Sequence, residues 1–159
     1  MNCMRLPLAL AVLSLTTSTL AWGEEGGRAV KGGATTTVAG GTGAPSFTPV
    51  ITKLTFHWRD GDGQGHFECL ALAPSAAAGK PGSGNFDTNV MYVTGAITAV
   101  EINGSTAVLT GSATVTGLGA GVNLPFTATA ERGDPGTTFV LAISGLTFHE
   151  TILEGQISF

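Results

Sequence analysis

The chain has 159 residues, enough for one domain, with 43% apolar and only 11% charged side chains. That balance supplies a core and excludes charge-rich disorder over most of the length. The net charge is -4 and no basic cluster occurs, which argues against nucleic-acid binding and against attraction to anionic lipid.

Residues 1–23 read as a cleavable secretory signal peptide. Met1 to Arg5 carry a positive charge, Leu6 to Leu20 are apolar and become Thr/Ser-rich, and small residues stand at Thr19, Ala21 and Gly23. Glu24 and Glu25 then bring in charge. This order marks export, with cleavage after Ala21 or Gly23 and a secreted or periplasmic destination. The apolar stretch is short for a spanning helix and no later segment could span as one, so no membrane insertion is expected after cleavage. Loss of Cys3 leaves Cys69 alone, so the mature chain has no internal disulfide. Cys69 lies in an apolar run away from Lys and Arg, the setting of a small buried hydrophobe.

Residues 24–44 (EEGGRAVKGGATTTVAGGTGA) read as a Gly-rich flexible lead-in, with a first strand at Ala34 to Ala39. Pro45 and Pro49 bracket the entry to a single β domain over 45–159. Val50 to Arg59 alternates, with Leu54, Phe56 and Trp58 on one face and Lys53, Thr55, His57 and Arg59 on the other. DGDGQG makes a tight turn, and His66 to Ala73 returns as a hairpin strand with Phe67, Cys69 and Ala71 on one face. Residues 74–89 are Pro-, Gly- and Ser-rich and predict a long loop. Val90 to Ile102 and Thr106 to Thr116 flank the Asn103-Gly104 turn signal. Val122 to Arg132, Thr137 to Ser144 and Leu153 to Phe159 complete the strands.

The pattern predicts an all-β fold of about seven or eight antiparallel strands, a small barrel, with a β-sandwich as the alternative. Gly95, Gly111, Gly145 and Gly155 interrupt strands, as sharp bending of a closing sheet requires, and closure also removes exposed edges. The apolar residues sit on the inward face and aromatic girdles are lacking, unlike a membrane-spanning barrel.

Sorting by period two sends Leu54, Phe56, Trp58, Phe67, Cys69, Leu124, Phe126, Phe139, Leu141, Ile143, Leu153 and Ile157 inward. Apart from Cys69 none is ionisable, so the expected interior is a packed core or an apolar pocket without acid–base chemistry. Phe56, Trp58, Phe67, Phe126, Phe139 and Leu141 are the candidate ligand-binding residues of such a pocket. No cofactor and no catalytic residue is expected. Asp60 and Asp62 open a segment spaced like the start of a calcium loop, but Gln64 and Ala71 stand where further ligands belong, which favours a plain turn. His57, His66 and His149, with nearby carboxylates, are the residues a barrel enzyme would use. His149-Glu150 reads as a polar turn before the last strand.

Four segments resemble the post-COAP-type domains, small exported bacterial β-domains. They are Gly40-Gly41-Thr42-Gly43, Gly65-His66-Phe67-Glu68-Cys69, the pair Val93 to Thr98 and Ala107 to Gly111, and the close from Arg132-Gly133-Asp134-Pro135-Gly136 through Phe139 to Ile157. The resemblance covers about residues 37–159. It implies export and a β fold, and carries no activity, cofactor or catalytic residue onto this chain. The functional expectation is an exported non-enzymatic β domain, a binding or structural module with a protein or cell-envelope partner. The alternatives are a carrier of a small apolar ligand in the barrel and a barrel enzyme.

Overall fold

The computed structural model describes residues 27–44, 49–75 and 85–159. The expected signal peptide and most of the long loop lie outside the described residues. Eight strands follow one another: β1 (Ala29–Gly40), β2 (Ile51–Arg59), β3 (Gly65–Pro74), β4 (Phe86–Asn103), β5 (Thr106–Gly117), β6 (Gly121–Glu131), β7 (Thr138–Ile143) and β8 (Leu146–Ser158). Each pairs antiparallel with the next, and β1 pairs antiparallel with β8 to close the barrel. The all-β barrel expected from the sequence is therefore the observed fold. The sandwich alternative falls, because the β1–β8 seam leaves no free sheet edge.

Alternation places an apolar set inside. Leu54 and Phe56 of β2, Phe67 and Cys69 of β3, Val93 and Ile97 of β4, Leu109 of β5, Phe126 of β6 and Phe139 and Leu141 of β7 are all buried. Outward positions carry Lys53, Thr55, His57 and Arg59 on β2, and Thr94 faces Thr114 across the β4–β5 pair. The outer face mixes threonines and charged residues with apolar ones such as Leu70, Val108 and Val140.

Three elements extend beyond their expected limits. β4 begins at Phe86 rather than Val90, so the end of the expected 74–89 loop pairs with β3 as strand. β1 begins at Ala29, so the segment read as a flexible lead-in supplies a barrel strand. Its inward residues are Val30, Gly32, Ala34, Thr36 and Val38, too small and mixed to give an apolar alternation. β8 begins at Leu146 rather than Leu153. Ser144 and Gly145, both with positive φ (55° and 74°), form the two-residue turn before it, so Gly145 is a turn residue and not a bend within a strand.

A bulge on β8 accounts for a further difference. Thr35 pairs with Glu154 and Thr36 with Ile152, leaving Leu153 as the extra residue. The inward set changes there from Phe148, Glu150 and Ile152 to Ile157. Leu153, expected inside, is therefore 51% exposed. Gly155 follows the bulge with φ of 102°, and a Cβ there would sit 2.1 Å from the Gly33 carbonyl oxygen. Only glycine fits both demands.

Candidate functional site

The barrel interior divides into a packed half and a hollow half. In the packed half the aromatic rings stack: Phe67 on Phe126 with centroids 5.0 Å apart, Phe56 near Phe139 at 6.1 Å, and Phe67 near Phe139 at 6.3 Å. Contacts of this kind close a core without leaving room for a ligand.

The hollow half is a cavity of about 370 Å³. It lies at the end of the barrel that carries the β1–β2, β3–β4, β5–β6 and β7–β8 connections. Its size is at the small end of ligand-binding pockets, which run to roughly 300–1,000 Å³. Val38, Val50, Ala71, Ala73, Met91 and Leu141 supply much of the wall. Gly43 and Leu118 come from the connections at the mouth, and Leu118 is 48% exposed there. Cys69, Thr52 and Glu150 add the polar atoms.

The mouth segment at Gly41 to Gly43 is held by hydrogen bonds to the start of β8. The Gly43 N–H donates to the Thr147 carbonyl at 2.9 Å. The Thr147 N–H donates to Thr42 Oγ1 at 2.9 Å, and the Thr42 N–H donates to Thr147 Oγ1 at 3.1 Å. A Cβ on Gly43 would lie 2.2 Å from the Phe148 ring, so glycine lets this backbone lie directly on that side chain.

Glu150 is the unexpected member. It projects inward from β8 between Phe148 and Ile152 and is only 3% exposed. The Thr36 hydroxyl, wholly buried on β1, donates a hydrogen bond to Glu150 Oε2. Burial pushes the carboxyl pKa up to about 7, and the hydroxyls of Thr36 and Thr52 hold it from going higher. Thr52 Oγ1 is buried beside Glu150, close enough to lower its pKa, and makes no hydrogen bond of good geometry among the described residues. Such an orphaned hydroxyl in a cavity wall is a costly feature for a site meant to stay empty. The Cys69 thiol is pushed well above its ordinary pKa by burial and by the negative charge of Glu150. It is a buried free cysteine, as its apolar neighbourhood predicts.

No cation accompanies the carboxyl among the described residues. Among the described residues the buried polar side chains are Thr36, Thr52 and Glu150, and the one ion pair is His66 Nε2 to Glu68 Oε2 at 3.8 Å on the outer face. The expectation that the hidden face lacks acid–base groups other than Cys69 is therefore corrected by Glu150. Its alternation with Phe148 and Ile152 was the signal in the sequence, obscured by reading His149-Glu150 as a turn.

The residues singled out from the sequence separate. Leu141 lines the cavity, while Phe56, Phe67, Phe126 and Phe139 form the ring stack of the packed half. Trp58 is half-buried and packs against the core cluster from the far end of β2. His57 and His66 face each other across β2 and β3 on the outside, with ring centroids 5.9 Å apart, and Tyr92 donates to Glu68 beside them. His149 points outward between Phe148 and Glu150 and is exposed. The histidines thus do not share a concavity with Glu150. Asp60 and Asp62 are exposed in the β2–β3 turn. Among the described residues no group of three or more His, Cys, Asp or Glu side chains could hold a metal ion.

The arrangement offers an apolar chamber whose polar atoms are the Glu150 carboxyl, the Thr52 hydroxyl and the Cys69 thiol. No protein-family model, curated protein or solved structure matches the chain.

Proposed function

We propose that the protein is an exported, non-enzymatic binding module that carries a small apolar molecule inside its barrel. The observation that supports this reading is the 370 Å³ cavity, whose walls are almost wholly apolar and whose polar atoms are confined to Glu150, Thr52 and Cys69. Barrels of about eight strands either fill with side chains or keep room for one small ligand. Here the stacked phenylalanines fill one half and leave the other open. An apolar guest would release water from the walls, the main driving force for such binding. A polar group on the guest would give Thr52 the well-aligned hydrogen bond that it lacks among the described residues.

Export rests on the N-terminal pattern and on the resemblance to post-COAP-type domains. The threonines and charged residues of the outer face suit a chain that travels through water with its cargo enclosed. Native mass spectrometry of protein purified from its producing cells tests the reading. A one-to-one adduct of a small apolar compound, or saturable uptake of added octanol, is the expected result. A bare chain that takes up no apolar compound contradicts it.

A further inference from the structure

Resting on the carrier reading, we infer that the cargo is an apolar amine, bound with its ammonium group between Glu150 and Thr52 and its hydrocarbon part along the cavity wall. Three observations converge on the head group. Glu150 lies in the cavity wall with no cation near it among the described residues, since Lys31, Lys53, Arg28, Arg59 and Arg132 are all exposed. Thr36 occupies only Oε2, by donating to it. The Thr52 hydroxyl shares the cavity, lies close enough to Glu150 to lower its pKa, and makes no hydrogen bond of good geometry among the described residues.

An ammonium group meets all of these conditions at once. It neutralises the carboxylate in a medium where an unpaired charge is costly, donates to the carboxylate, and donates to the Thr52 oxygen. The bound pair is the same whether ammonium meets carboxylate or a neutral amine takes the proton of a neutral Glu150. A carboxylic acid would place two acids side by side, of which only one could ionise, and that negative charge would stay buried without a cation. An alcohol would satisfy Thr52 but leave the carboxylate without a counter-ion.

Groups that face Glu150 leave it as the proton-sensitive member of the site. From β1 it meets Thr36 and Val38, from β2 Thr52, from β3 Cys69 and from β7 Phe139. Cys69 is the other titratable group there, and its raised pKa keeps it neutral while Glu150 ionises. Burial holds the Glu150 pKa near 7, so the carboxylate form needed by a cation grows as pH rises through neutrality.

Calorimetric titration with octylamine, octanol and octanoate at pH 7.5, on wild type and on Glu150→Gln, tests the assignment. Octylamine is expected to bind wild type about tenfold or more tighter than octanol, because its contact is charge-assisted. The substitution is expected to remove that preference, so that octylamine binds no tighter than octanol. Should the variant fail to fold, wild type alone decides, because the octylamine-to-octanol affinity ratio is expected to fall as pH drops from 8 to 5. Octanol binding as tightly as octylamine, octanoate binding tightest, or a ratio flat with pH overturns the amine assignment while leaving the carrier reading intact. Failure of all three probes to bind overturns both.

Discussion

Thr36 on β1 and Glu150 on β8 share a hydrogen bond across the seam that closes the barrel, the hydroxyl donating to the carboxyl inside the protein. The seam is therefore not purely apolar. Ladder bonds hold the strands together, and the side-chain bond ties the buried acid to one of them. That acid is a buried titratable group of the fold and one of the polar members of the cavity wall.

Burial raises the Glu150 pKa from an ordinary 4.5 to about 7. Between those values the folded protein keeps a proton that the unfolded chain has released. Stability contributed by this group is thus fully present below pH 4.5, declines as pH rises to about 7, and is level above it. The shift corresponds to about 3 kcal/mol. Urea unfolding from pH 4.5 to 8 should show this decline in wild type, and Glu150→Gln should flatten it and be the more stable protein at pH 8. A Gln variant with the same pH slope as wild type would contradict the assignment.

Thr36→Val keeps the shape of the side chain and removes its donor. The Glu150 pKa should then rise beyond its wild-type value, as followed by carbonyl-carbon NMR titration. At pH 8, where the carboxylate needs the donor, the loss of stability should be about 1–3 kcal/mol. At pH 5 the loss should be smaller, because the protonated acid is already neutral.

Cys69 is buried and its thiol is held well above the usual pKa. Native protein at pH 7.5 should therefore alkylate with iodoacetamide at least about a hundredfold more slowly than protein in urea, since the thiolate is the reacting form. Occupation of the cavity by an apolar probe should slow it further. Equal rates in the native and unfolded states would place the thiol at the surface.

The strands from Val50 to Ile143 were largely legible in the sequence because Leu54, Phe56, Phe67, Leu109, Phe126 and Phe139 alternate with polar residues. The seam strands were less so. β1 turns Thr36 inward beside Gly32 and Ala34, so its buried face carries no run of large apolar residues. On β8 the acid at Glu150 interrupts the apolar alternation, and the bulge at Leu153 shifts the inward positions by one. Cys69 was readable from its neighbours. The cavity was not, because whether an apolar interior is filled or hollow depends on how side chains from all eight strands meet.

Ala71 lies in the cavity wall, so a larger side chain there should grow into empty space. Ala71→Leu is expected to weaken octanol uptake while changing stability by less than about 1.5 kcal/mol, because it fills part of a void and does not overpack a core. An unchanged octanol affinity would mean that the probe binds elsewhere. Phe67→Ala, in the ring stack, should instead cost about 3–5 kcal/mol, read from the shift of the urea midpoint.

A methyl-NMR titration with octanol addresses the cavity most directly. Methyl signals of Met91, Val50 and Leu141, which line the chamber, should shift and saturate together at one equivalent of bound probe, while those of the outward Val122 and Leu153 stay in place. Unmoved cavity methyls, or non-saturating shifts concentrated at Val122 and Leu153, would contradict a ligand chamber inside the barrel.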